Sequence, residues 1–151
     1  MLESSGGTVV QPQNFLAFDF GTRRVGVATG NTLLGRASPL KTVAAGGDAR
    51  FAAIAALVQE WQPDALVVGV PFHPDGAEHE NTLKARRFAR QLHGRFRLPV
   101  HQVDERYSTT EALSDGAKNA DAASAVIILD QYLRTLPEHP TPAGVSPDAA
   151  A

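Results

Sequence analysis

The apolar residues of this chain fall into runs whose period switches between two and about 3.6, and the switches outline its elements. In Phe15–Phe20, Phe15, Ala17 and Asp19 share one face of an extended segment, and Leu16, Phe18 and Phe20 share the other. Both faces are apolar except at Asp19, which predicts a central strand with a carboxylate near its exit. Gly21-Thr22-Arg23-Arg24 supplies turn chemistry before Val25–Ala28, so a hairpin follows. Gly35–Val43 holds a third strand, which Pro39 demotes towards the sheet edge. From Asp48 to Trp61, apolar residues at Phe51, Ile54, Leu57, Val58 and Trp61 predict a helix with one buried stripe, ended by Pro63.

Ala65–Val70 is an unbroken apolar run, the pattern of a parallel strand buried on both faces, and Pro71 stops it. The loop Phe72–His79 then lies where parallel sheets commonly bind ligands; its His73 is a solvated side chain on the simplest reading. Glu80–Phe96 repeats apolar residues at Ala85, Phe88, Ala89, Leu92 and Phe96, a second helix. Leu98–Val103 reads as the last strand, with Asp104-Glu105-Arg106 leaving its end. Ser108-Thr-Thr-Glu111 is a capping box for a short helix ending at Gly116. Asn119 caps a final helix whose stripe is Ala125, Val126, Ile128, Leu129, Tyr132, Leu133 and Leu136.

A length of 151 residues with 43% hydrophobic content suits one domain, 15–136, between a polar arm (1–14) and a proline-rich tail (137–151) expected to be disordered. Cysteine is absent, which excludes thiolate metal sites and thiol nucleophiles. No stretch reads as a signal peptide or a membrane span, so a soluble, cytoplasmic protein is expected. The net charge of −2 argues against indiscriminate nucleic-acid binding. Glu3, Glu138 and Asp148 bias that total from the tails, so any nucleic-acid surface is local.

One such surface is the second helix. Lys84, Arg86, Arg87, Arg90, Arg95 and Arg97 occur with no acidic residue between Asn81 and Arg97. The run is either a solvated face or a phosphate-binding one, and one-signed runs gain most by meeting phosphates.

The carboxylates carry the sharper chemistry. Asp19 in a central strand is satisfied either by N–H groups of the Gly21-Thr22 turn or by a cation. Glu105 leaves a parallel strand. Asp121 precedes Ala125 and Ile128 by four and seven residues, so it continues the core stripe, although a helix-dipole role explains it too. Three carboxylates at one sheet edge repel unless cations bind. Oxygen ligands suit Mg²⁺ or Mn²⁺, and two such ions about 3.5–4 Å apart clamp the attacking and leaving oxygens of a phosphodiester.

Four segments together resemble one family: Asp19-Phe-Gly-Thr-Arg-Arg-Val-Gly-Val-Ala28, Val67-Val-Gly-Val-Pro71 with Gly76, Asp104-Glu-Arg106 with Ser108-Thr109, and Asp121-Ala-Ala-Ser-Ala125 with Ile128-Leu129. Over about Phe15–Leu136 the chain is similar to the YqgF family, also called RuvX-type, of pre-16S ribosomal RNA nucleases and resolvase-like proteins. The resemblance implies an α/β, ribonuclease H-like fold: a mixed five-stranded sheet with helices on both faces. It implies metal-ligand and catalytic roles for Asp19, Glu105 and Asp121, and trimming of ribosomal RNA precursors. Arg23, Arg24, Lys84, Arg86, Arg87, Arg90, Arg106 and Lys118 are the expected nucleic-acid contacts. RNA is the expected partner, with single-stranded or branched DNA as the alternative, in a monomer or homodimer that could meet a pre-ribosomal particle. The segment between Ala112 and Asp121 is shorter than the family's usual loop. An actin-like or sugar-kinase-like phosphotransferase shares Asp-x-Gly-Thr in a hairpin, but its second lobe has no counterpart here; a catalytically silent RNA-binding module is the remaining alternative.

Overall fold

The computed structural model describes residues 12–72, 75–78, 80–104 and 120–136. Within them the chain forms β1 (Asn14–Asp19), β2 (Val25–Asn31), β3 (Arg36–Val43), α1 (Gly47–Trp61), β4 (Ala65–Val70), α2 (Glu80–Phe96), β5 (Val100–Asp104) and α3 (Ala120–Thr135). The strands make one mixed sheet in the order β3-β2-β1-β4-β5. Central β1 is antiparallel to β2 and parallel to β4, and β4 is parallel to β5. The C-terminal ends of β1, β4 and β5 therefore share one edge of the sheet.

The two-sided apolar pattern of β1 is spent on two cores. Leu16 and Phe18 pack with Phe51, Ile54 and Leu57 of α1 and with Phe88, Ala89 and Leu92 of α2. Phe15 and Ala17 pack with Ile128, Leu129 and Leu133 of α3. Helices thus cover both faces, α1 and α2 on one and α3 on the other. Phe15, Leu16 and Phe18 are each at most 1% exposed. Burial of such a side chain contributes about 1.5–3 kcal/mol, so β1 is firmly held.

Several boundaries differ from the sequence reading. β1 opens at Asn14, and Gln13 is already tied to the β2–β3 loop through its N–H to Thr32 Oγ1 at 3.0 Å. β5 starts at Val100, because Arg97 adopts φ 56° and Pro99 has no N–H for a ladder. Trp61, expected in the buried stripe of α1, is 39% exposed, and Arg50 is buried instead. Pro39 does lie on the edge strand β3, opposite Ala28 and beside a register shift. The short helix expected at 108–116, the residues 1–11 and the tail 137–151 lie outside the described residues. Among the described residues no helix is long and apolar enough to cross a membrane.

Candidate active site

Asp19 ends β1, and the pleat turns it to the α3 face with Phe15 and Ala17. Its register partners are Gly26 in β2 and Gly69 in β4. Paired residues of neighbouring strands share a face, so the carboxylate is flanked on both sides by positions without side chains.

Gly26 has a second use. A Cβ built there would fall 1.8 Å from the Asp121 carbonyl oxygen and 2.1 Å from its carbonyl carbon. The first turn of α3 therefore rests directly on the β2 backbone, one strand away from Asp19. Only glycine permits that approach. The half-buried Asp121 carboxylate meets a cation already present in the chain: Arg24 Nε stands 3.2 Å from Asp121 Oδ2. The Arg24 side chain is 63% exposed, so this pair contributes no more than about 1 kcal/mol.

Asp104 stands differently. Its register partner is Val70, in line with Leu66 and Val68 on the α1/α2 face, whereas Val103 shares the row of Gly69 and Asp19. The Asp104 carbonyl accepts a hydrogen bond from Gln131 Nε2 at 3.2 Å. Glu105, Arg106, Lys118 and His73 lie outside the described residues. Among the described residues no group of three His, Cys, Asp or Glu side chains is gathered. Asp19 and the backbone of Asp121 lie on one face at one edge, on either side of the Gly26 contact. The all-oxygen donor chemistry of the two carboxylates fits a hard divalent cation.

The expected nucleic-acid contacts divide between the faces. Arg23 and Arg24 are exposed in the β1–β2 turn, beside the carboxylates. Lys84, Arg86, Arg87 and Arg90 lie on α2, across the sheet. Lys84 Nζ pairs with Glu80 at 3.4 Å, while Arg86 pairs with Glu78 and lies over the Phe72 ring, 5.4 Å from its centroid. Arg87 and Arg90 are exposed. The Thr82 hydroxyl donates to the Pro71 carbonyl just beyond β4, which places the start of α2 at the carboxylate edge.

Sequence reasoning missed Gly26, Gly69 and Arg50. The signal for Gly26 was a glycine between two strand valines, Val25 and Val27, which marks close approach of another backbone. Arg50 precedes Ile54 and Leu57 by four and seven residues, the spacing that singled out Asp121.

The family model described as "Holliday junction resolvase", RuvX, matches residues 13–135. A protein of Albidiferax ferrireducens named "Putative pre-16S rRNA nuclease" is 68% identical over 124 residues, covering 82% of this chain and 80% of that one. One of the same name from Polaromonas sp. is 67% identical over 125 residues, 83% and 91% of the two chains. Among solved structures, Thermus thermophilus RuvC in complex with a Holliday junction substrate aligns with a TM-score of 0.50 at 16% identity, over 85% of this chain and 99% of that one. A second Thermus thermophilus RuvC structure aligns with a TM-score of 0.50 at 14% identity, over 81% and 96%. At these identities the structural likeness speaks to architecture alone, and the architecture is the ribonuclease H-like one. With the matching model spanning β1 to α3, the chain belongs to the RuvX family.

Proposed function

We propose that this chain is a divalent-metal-dependent nuclease that hydrolyses phosphodiester bonds in ribosomal RNA precursors, at the 5′ end of pre-16S rRNA. The observation that supports the reading is that the first turn of α3, which carries Asp121, packs on Gly26, the β2 register partner of Asp19, at the edge and on the face where Asp19 ends β1. Asp19 and Asp121 would hold Mg²⁺ or Mn²⁺, with Glu105 as the third ligand on the family pattern. Bound ions would supply Lewis-acid stabilisation of charge on the reacting phosphate and, as a pair, the two-metal form of that chemistry.

The chain's own groups do the rest. β1, buried on both sides, keeps the Asp19 carboxylate fixed. Gly26 lets the first turn of α3, with Asp121, close on the β2 side of Asp19, and Gly69 sets no side chain on its β4 side. Arg24 and Arg23 reach from the turn to phosphate oxygens, and exposed Arg87 and Arg90 hold flanking phosphates around the edge. The cytoplasm fits such a substrate.

A second reading, resolution of branched DNA, is favoured by the description of the family model. A matched panel of pre-16S RNA, single-stranded DNA, duplex and four-way junction, each with Mg²⁺ or Mn²⁺ and with Asp19→Asn as control, separates the two. RNA cleavage by the wild type alone supports the first reading. Cleavage confined to the junction overturns it for the second, and no cleavage of any member leaves a binding module.

A further inference from the structure

Among the described residues, Arg50 is the buried charge that the nuclease reading does not use. It lies in the first turn of α1 at 5% exposure. Its hydrogen bonds go to main-chain oxygens: Nε donates to the Ala45 carbonyl at 2.8 Å and Nη2 to the Thr22 carbonyl at 3.0 Å. The guanidinium also stands 5.5 Å from the centroid of Phe20, whose other neighbour is Phe88 at 5.1 Å between ring centroids. Desolvation by burial lowers the Arg50 pKa from its ordinary value, and the group stays charged. Burying a guanidinium against neutral partners, two carbonyls and an aromatic face, carries a desolvation cost that such contacts only partly offset.

What they fix is the turn between Asp19 and Arg24. Phe20, next after Asp19, is held between a cation and an aromatic ring. Gly21 folds so tightly that a Cβ there would meet the Arg24 carbonyl oxygen at 2.5 Å. Thr22 is clipped to the start of α1. Both ends of the turn face the proposed metal site, Asp19 directly and Arg24 through its pair with Asp121.

We propose that Arg50 is a positioning residue for that site: its two-pronged guanidinium locks the Phe20–Arg24 turn to α1 and so sets where the Asp19 carboxylate and the Arg24 guanidinium stand. The inference rests on the nuclease reading for what the site binds, but not for the clip itself. A lysine keeps the charge and cannot span both carbonyls with a fork, so Arg50→Lys should behave like Arg50→Met.

The test is calorimetric titration of Mn²⁺ into the folded wild-type, Arg50→Met and Arg50→Lys proteins, beside kcat and KM on the cleaved substrate. We expect both variants to bind Mn²⁺ about tenfold more weakly and to lose kcat by a similar factor, with KM little changed. A wild type that binds no Mn²⁺ refutes the metal reading and, with it, this role. Variants that melt earlier but bind Mn²⁺ and turn over as the wild type does leave Arg50 a purely structural residue and overturn the proposal, as does full rescue by Arg50→Lys. Should neither variant fold, Mg²⁺ titration of the wild type followed by NMR decides: shifts at the Gly21 and Thr22 amides together with the Arg50 Nε–H support the clip, and an unmoved Nε–H overturns it.

Discussion

The two faces of the sheet solve opposite problems with one central strand. On the α1/α2 face, Phe18, Phe20 and Phe51 all surround Phe88, at ring-centroid distances of 6.0, 5.1 and 5.9 Å. On the α3 face the residues at the carboxylate edge are small: Gly26 and Gly69 on the strands, and the buried Ala122, Ser124 and Ala125 on the helix. Large side chains return only farther along α3, at Ile128, Leu129 and Leu133. Interlocked rings on one side keep β1 rigid, so the other side can give up packing volume around Asp19 without loosening the strand. Small residues there are not poor packing; they bring a helix backbone and an acidic side chain up to the sheet.

The contrast is broken most severely at its acidic end. Asp19→Asn keeps the shape of the side chain and should lower cleavage by about a thousandfold, with an unchanged circular dichroism spectrum. A folded variant with wild-type turnover would remove the metal reading of that face. Next is Gly26→Ala, which forces α3 off the sheet. Urea unfolding should show a loss of about 1–3 kcal/mol, with cleavage falling as well. The matched change on the opposite face is Gly94→Ala in α2, where an added Cβ meets nothing within 4 Å. It should gain about 0.5–1 kcal/mol, and equal tolerance at both glycines would erase the distinction.

Asp121→Asn sharpens the comparison further. Thermal melts of the wild type should rise with Mn²⁺, by about 2.7 kcal/mol of stability at a hundred times the dissociation constant, and the variant should lose that gain. Its metal-free stability should change by less than about 1 kcal/mol, since the lost pair with Arg24 is exposed and repulsion from Asp19 is relieved. A variant that still gains stability from Mn²⁺ and still cuts takes Asp121 out of the site. The smallest effect belongs to the far face: Arg87→Ala with Arg90→Ala should flatten the dependence of log K on log salt by about 0.7–0.9 for each phosphate contact. Arg86→Ala should change it less, because Glu78 already pairs with Arg86.

Periodicity made the elements legible and, with them, the faces. The alternation in β1 put Asp19 with Phe15 and Ala17, and the i, i+4, i+7 spacing brought Asp121 inward at the start of α3. The same arithmetic held for Arg50, but a basic residue in a first turn reads as solvated until an acceptor is known, and its acceptors are carbonyls of residues 5 and 28 positions away. Gly26 could be assigned to a strand but not to a contact, since the backbone that crosses it arrives from 95 residues later. Nor does a sequence say on which side of the sheet a helix crosses. The basic run of α2 could be seen, while its separation from the carboxylates by the thickness of the sheet could not.

Pro39 on β3 has a consequence for the chain during synthesis. The β1–β2–β3 meander leaves the ribosome before β4, and for that interval it presents two open edges to other chains. The β3 edge is poorly suited to pairing: Pro39 lacks an N–H, the register shifts beside it, and exposed Arg36 and Lys41 flank it. Only the β1 edge, apolar on both faces, would accept a foreign strand. Its rightful partner, β4, pairs with residues 50 positions upstream, so the period between the two is when this protein is most open to misassociation.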